Sequence, residues 1–261
     1  MANPVDQSGQ TKSGYQKVQE FHDAFGHPNP NDVQRNIFDE NPALIQSRIS
    51  LILEELNETK EAYANHDAVE FIDGLCDMLY VIYGMGIVCG LHNEPVNRLP
   101  TVQLIDRTIN QLLSRNIIKN DDQYVVIRLC GIERSFEIML DSVKRKDINC
   151  LDSDLAVMAS QLNNIGKYLN IPLNQAFDIV HQSNMSKLCS CERVAEETIA
   201  HYKTLPEFSS KNVRYRLAPG EIFNKDKEWL TKYVIYNADT GKILKSKYWH
   251  LPNFDSLFLA D

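Results

Sequence analysis

The chain has little excess positive charge, no paired cysteines at metal spacing and no long hydrophobic run. Lys and Arg number 27 against 35 Asp and Glu, so the formal net charge is −8. A protein that grips a nucleic-acid polymer needs a basic face, and none is expected here. Small anionic ligands remain open, because a metal ion and a few lysines can neutralise them. The longest uncharged run, Met78 to Leu91, is too short to span a bilayer, so no membrane partner is expected. The stretch Met1 to Gly14 is polar and carries no apolar segment that would read as a secretory signal. Cys189-Ser190-Cys191 is not a CxxC pair, and Cys76, Cys89, Cys130 and Cys150 lie in mostly apolar helical contexts. All six are read as reduced thiols in a reducing, cytoplasmic compartment.

What the chain does have is helical periodicity. Its 261 residues, 43% hydrophobic and 24% charged, can bury a substantial core. The apolar spacing predicts helices over 15–25, 43–65, 68–90, 102–116, 122–146, 152–169, 173–184 and 191–203. Asn41 is the expected cap of the second, with Pro42 in its first turn, and Ser190 the expected cap of the last. Residues 1–13 read as disordered and 207–220 as loop. Trp229 to Tyr236 and Lys242 to Trp249 are β-prone and flank the turn Asn237-Ala238-Asp239-Thr240-Gly241. The expected fold is all-α: an antiparallel helical bundle of two tandem units, with a small C-terminal β-hairpin. The expected domains are a helical domain over 14–204, with units of about 14–100 and 101–188, and an extension over 205–261.

The chemistry lies in carboxylates on two neighbouring helices. The first reads Glu54-Glu55-Leu56-Asn57-Glu58, the second Glu70-Phe71-Ile72-Asp73 followed by Asp77. Side chains three and four apart share a helix face, so Glu55 and Glu58 point one way, and Glu70, Asp73 and Asp77 point one way. A short turn would make the two helices antiparallel and merge the acids. A charge run such as 54–61 is ordinarily a solvated face, and Glu54, Asn57 and Glu61 are read so. The second helix is too apolar for that reading, and carboxylates there need compensation. Oxygen donors without His or Cys point to Mg²⁺ or Mn²⁺. The structural alternative is a bundle whose acids simply pair with cations such as Arg48 and Lys60.

A faint internal repeat appears at an offset of seventy-nine residues. It sets Glu54 to Glu58 on Glu133-Arg134-Ser135-Phe136-Glu137 and puts Arg134 in the place of Glu55. The second copy would then keep a helical-hairpin shape without a complete metal site. Further on, Asn184 and Lys187 are three apart at the end of a helix, so an amide and an ammonium reach toward one point.

Taken together, Glu55-x-x-Glu58, Glu70-x-x-Asp73 and Asn184-x-x-Lys187 resemble the all-α nucleoside triphosphate pyrophosphohydrolase superfamily. That group includes MazG-type enzymes, dCTP pyrophosphatases, dimeric dUTPases and phosphoribosyl-ATP pyrophosphohydrolases. The likeness covers about 15–90 and 172–250, and a duplicated chain is most similar to the dimeric dUTPase branch. The resemblance implies a Mg²⁺-dependent hydrolase that takes a nucleoside triphosphate to its monophosphate and pyrophosphate, and it is compatible with a homodimer. It implies that Glu55, Glu58, Glu70 and Asp73 hold the metal and carry catalysis. Asp77 is implied at the sugar or at an additional metal, and Tyr80 either stacks on base or ribose or packs in the core. Asn184 and Lys187 are implied at phosphates or sugar, with Lys242 and Lys245 of the hairpin closing over the ligand. The alternative function is a non-catalytic helical protein that binds nucleotides in a regulatory role.

Overall fold

A computed structural model describes residues 12–91, 121–208, 210–219 and 231–258. The helix expected over 102–116 and most of the 1–13 segment lie outside them. The chain forms two compact units, one of residues 30–177 with 257–261, the other of residues 1–29 with 178–256.

The first unit is a bundle of two helical hairpins. After a one-turn helix α2 (Ile37–Glu40), α3 (Pro42–Ala64) packs on α4 (Ala68–Val88), and α5 (Asp121–Lys144) packs on α6 (Ile148–Tyr168). The hairpins join through α4 against α6. Local chemistry sets the ends as the sequence predicts. Asn41 Oδ1 accepts from the Leu44 N–H at 3.2 Å and Pro42 occupies the first turn of α3. Asp67 caps α4, its Oδ1 accepting from the Glu70 N–H at 3.1 Å. Beyond its first turn α4 is buried on nearly all sides, and only Asp73, Asp77 and Val81 form a partly open stripe. By length and composition alone this helix could cross a membrane, but its apolar surface is consumed by the bundle.

The two hairpins repeat one another at an offset of eighty residues, not seventy-nine. His66 and Lys146 both sit in the left-handed region, with φ of 56° and 55°. Asp67 and Asp147 both cap the returning helix. The Asp67 N–H bonds the Ala62 carbonyl, as the Asp147 N–H bonds that of Ser142. At the far end, Gly90 and Asn170 again share a positive φ. The Leu91 N–H bonds back to Gly86 just as that of Ile171 does to Gly166. Turn and cap geometry thus fix the register that faint residue likeness misplaces by one position.

The first hairpin is held close at Gly74. A Cβ there would lie 2.7 Å from Thr59 Oγ1 and 3.1 Å from Thr59 Cα. Thr59 is fully buried, its hydroxyl satisfied one turn back by the Glu55 carbonyl at 2.7 Å.

The second unit contains α1 (Gly14–Phe25), the end of α7 (Leu173–Met185), α8 (Glu192–Thr204) and a three-stranded antiparallel sheet. The strands are β1 (Val213–Leu217), β2 (Tyr233–Asn237) and β3 (Ile243–Leu244), with β2 central. The expected hairpin is β2–β3, turning at Gly241 with φ of 73°. β1 arises inside the stretch expected to be loop. Its Val213-Arg214-Tyr215-Arg216-Leu217 alternation is a strand pattern that its polar surroundings obscure. One sheet face packs Ile235 and Leu244 on Val194, Ala195 and Tyr202 of α8. On the other, Val234 packs against Ala24 and Phe25 of α1. Ser13 opens α1 with a capping box to Gln16, and Gly26 closes it in the left-handed region. α8 starts at Glu192, so Cys191 takes the cap position rather than Ser190, and no side chain caps it. Between α1 and α7 the Lys17 ammonium pairs with the Asp178 carboxylate, both largely buried.

Two outcomes are expected from this packing. Gly74→Ala forces α4 away from the Thr59 backbone and costs about 1–3 kcal/mol, measured as a lowered denaturant midpoint at unchanged m-value. Lys17→Met leaves a buried carboxylate alone and costs about 3–5 kcal/mol, whereas Lys17→Met with Asp178→Leu recovers most of that loss. Equal stability of the single and double variants would show that the pair is not an energetic unit.

Candidate metal and substrate site

The α3–α4 seam gathers acid charge around one side chain. Glu55 is half-buried on α3, and its carboxyl is pushed up to about 8, first by burial, then by the charges of Asp77, Glu58, Glu54 and Asp73. These acids come from both helices, as their spacing predicts. The buried Cys76 thiol, between Asp73 and Asp77 on α4, is raised for the same reasons: burial first, then those two carboxylates. The charges weighing most on Glu55 include Asp77, the residue the resemblance puts at sugar or an additional metal. Glu70 is not among them and sits exposed in the first turn of α4.

Among the described residues no three His, Cys, Asp or Glu side chains stand together in a group that could hold a metal ion. The donor set itself suits a hard divalent cation: oxygens only, converging in charge on a half-buried carboxylate whose ionised form the surroundings oppose.

The remaining residues named from the sequence fall in two places. Tyr80 is buried in the bundle, its ring stacked on Phe177 at 5.5 Å between centroids. Asn184, Lys187, Lys242 and Lys245 belong to the other compact unit. There the Lys187 ammonium donates to Asn184 Oδ1 at 2.6 Å, so the two side chains that the spacing aims at one point also bond each other. Lys242 is exposed beyond the hairpin turn, and the Lys245 ammonium lies 3.5 Å from the centre of the Trp249 ring.

The eighty-residue register changes the reading of the second hairpin. Arg134 stands at the position of Glu54, not Glu55, and is exposed, donating to Glu137 at 2.6 Å. Glu55, Glu58, Glu70, Asp73 and Asp77 correspond to Ser135, Ile138, Cys150, Ser153 and Val157. Every acid of the cluster is therefore replaced, not one. At the place of Glu55 a neutral polar contact stands instead: Gln161 Nε2 donates to Ser135 Oγ at 3.0 Å. The signal that could have found this was the shared helix–turn–Asp cap, Asn65-His66-Asp67 against Arg145-Lys146-Asp147.

A family model for phosphoribosyl-ATP pyrophosphohydrolase matches residues 18–98, which hold all five acids of the seam. The chain is 40% identical over 248 residues to an uncharacterized protein of Acanthamoeba polyphaga mimivirus, covering 94% of this chain and 95% of that one. No solved structure matches it. The seam acids and the family match agree, and the chain belongs to the MazG-like all-α nucleoside triphosphate pyrophosphohydrolase superfamily.

Proposed function

We propose that the chain hydrolyses a nucleoside triphosphate to its monophosphate and pyrophosphate with Mg²⁺, or Mn²⁺ in its place. The observation that carries this reading is the convergence of acid charge on Glu55 within the family-matched segment. Glu55, Glu58 and Asp73 would hold the ion, and the field on Glu55 gives Asp77 a stronger claim than Glu70 to complete the set. When bound, such an ion neutralises phosphate charge and lowers the pKa of a coordinated water. The protein supplies the rest. Leu75, Met78 and Leu79 of α4 are buried behind Asp73 and Asp77 and keep water from that side. A cation drawn to the seam relieves the repulsion that opposes ionised Glu55, so metal binding and carboxylate ionisation reinforce one another.

Incubation with each common nucleoside triphosphate and Mg²⁺ is expected to yield monophosphate and pyrophosphate in equal amounts for at least one base. Glu55→Gln or Asp73→Asn is expected to lower that rate by roughly two orders of magnitude or more, with Glu137→Gln close to wild type. Release of orthophosphate alone, or full activity of either seam variant at limiting Mg²⁺, would defeat the assignment.

The same charges make a stability prediction. A carboxyl raised in the folded state stabilises folding fully below its unfolded value, near 4.5, and that contribution is lost as pH rises through about 8. Without divalent metal at pH 8, Glu55→Gln is therefore expected to melt above wild type, and the gap should close toward pH 4. Added Mg²⁺ should raise the melting temperature of wild type more than that of the variant.

A further inference from the structure

Two buried arginines occupy equivalent positions in the two hairpins, and among the described residues only one has a hydrogen-bond partner. Arg128 of α5 is 2% exposed, its Nε donates to the Tyr124 hydroxyl at 3.1 Å, and its guanidinium lies 5.2 Å from the centre of that ring. Eighty residues earlier, Arg48 of α3 is 9% exposed. The position matching Tyr124 is Leu44, which offers no acceptor. Among the described residues no hydrogen bond or ion pair reaches Arg48. Burial lowers the pKa of Arg48, opposed only by Cys89. That thiol is itself pushed by burial up to about 12, so it is neutral near pH 7 and supplies no counter-charge. A buried guanidinium left so is costly unless something else compensates it.

Its position says what that could be. Arg48 and Glu55 are seven residues apart, two turns along one face, with about 10 Å between them along the axis. The antiparallel seam sets Thr59 against Gly74, Glu55 beside Asp73 and Asp77, and Arg48 beside Cys89 at the other end of α4. Acid charge and a guanidinium that no side chain among the described residues binds thus lie in line along one pair of helices. The hairpin that has replaced all five cluster acids has also closed its arginine with Tyr124. The hairpin that keeps the acids has left its arginine open.

We propose that Arg48 binds the outer phosphate of a polyphosphate ligand whose inner phosphates lie at the carboxylate end of the seam. This rests on the pyrophosphohydrolase reading for the nature of the ligand. The planar fork of five donors matches an oxyanion two bonds at a time, and an anion supplies the missing charge.

The test is calorimetric binding of inorganic tripolyphosphate, and separately of nucleoside monophosphates, to the full chain with Mg²⁺. The chains compared are wild type, Arg48→Lys, Arg48→Met and Arg128→Lys. Arg48→Lys keeps the charge but loses the fork and is expected to weaken tripolyphosphate binding about ten-fold or more. Arg48→Met should weaken it further, even where its melting temperature equals or exceeds that of wild type. Monophosphate affinity should not change, and Arg128→Lys should bind both ligands as wild type does. The proposal is overturned if tripolyphosphate does not bind wild type or binds Arg48→Lys equally well. It also fails if the loss extends equally to monophosphates, or if Arg128→Lys loses as much. No turnover enters these measurements. A chain that binds tripolyphosphate through Arg48 yet hydrolyses no nucleotide would defeat the functional reading alone. One that hydrolyses nucleotides with polyphosphate affinity indifferent to Arg48 would defeat this proposal alone.

Discussion

Gly74 lying against Thr59 is the contact on which the site depends. Helices with ordinary side chains at their crossing keep their axes 8–10 Å apart, and a residue without a Cβ lets them approach more closely. Thr59 can be fully buried there because its hydroxyl is satisfied within its own helix by the Glu55 carbonyl. That places Glu55 one turn from the closest approach and brings it under the charges of Asp73 and Asp77 from the facing helix. The chain accepts repulsion at this point. Burial and the neighbouring carboxylates oppose ionised Glu55 at neutral pH, and the apolar remainder of α4 offsets that cost. A cluster kept at such a cost is more readily explained by a bound cation than by the needs of the bundle.

The second hairpin is a natural control for the first. Turn, cap and chain reversal are preserved to the residue, through His66 and Lys146, Asp67 and Asp147, Gly90 and Asn170. These are the features that backbone geometry demands. The seam between the helices is free to change, and there the two diverge completely. Gly74 becomes Asp154, which accepts from Ser142 at 2.6 Å. Thr59 becomes Met139, and the close approach moves to Gly131, where a Cβ would lie 2.2 Å from Gln161 Oε1. A hairpin can thus be stable without the five acids that line the first seam. Those of the first hairpin are not structural requirements of the motif.

Much of this was legible in the sequence, because helices carry their own periodicity and punctuation. Asn41-Pro42 marks the start of α3, and the apolar run through 71–83 marks a buried helix. The carboxylate spacing on 54–58 and 70–77 is enough to place Glu55, Asp73 and Asp77 on one seam. What failed was what depends on partners. The strand Val213–Leu217 is defined by its pairing with β2, and a five-residue alternation beside a polar loop does not announce that. The repeat offset was set by matching charged residues, which diverge freely on exposed faces. The left-handed turn residues, which cannot diverge freely, give the offset of eighty.

Arg48 shows the limit most clearly. In the sequence it is one cation beside several acids, and the simplest expectation pairs it with them. The structure separates it from them by two helical turns and buries it beside a neutral thiol. Only the comparison with Arg128 gives that isolation a meaning. The same buried arginine is satisfied by Tyr124 where the five cluster acids are replaced and lacks that partner where they are kept. If both arginines served only packing, nothing would require the tyrosine to be absent from the acidic hairpin alone. A ligand that needs negative charge compensated at one end and a metal ion held at the other accounts for both differences at once.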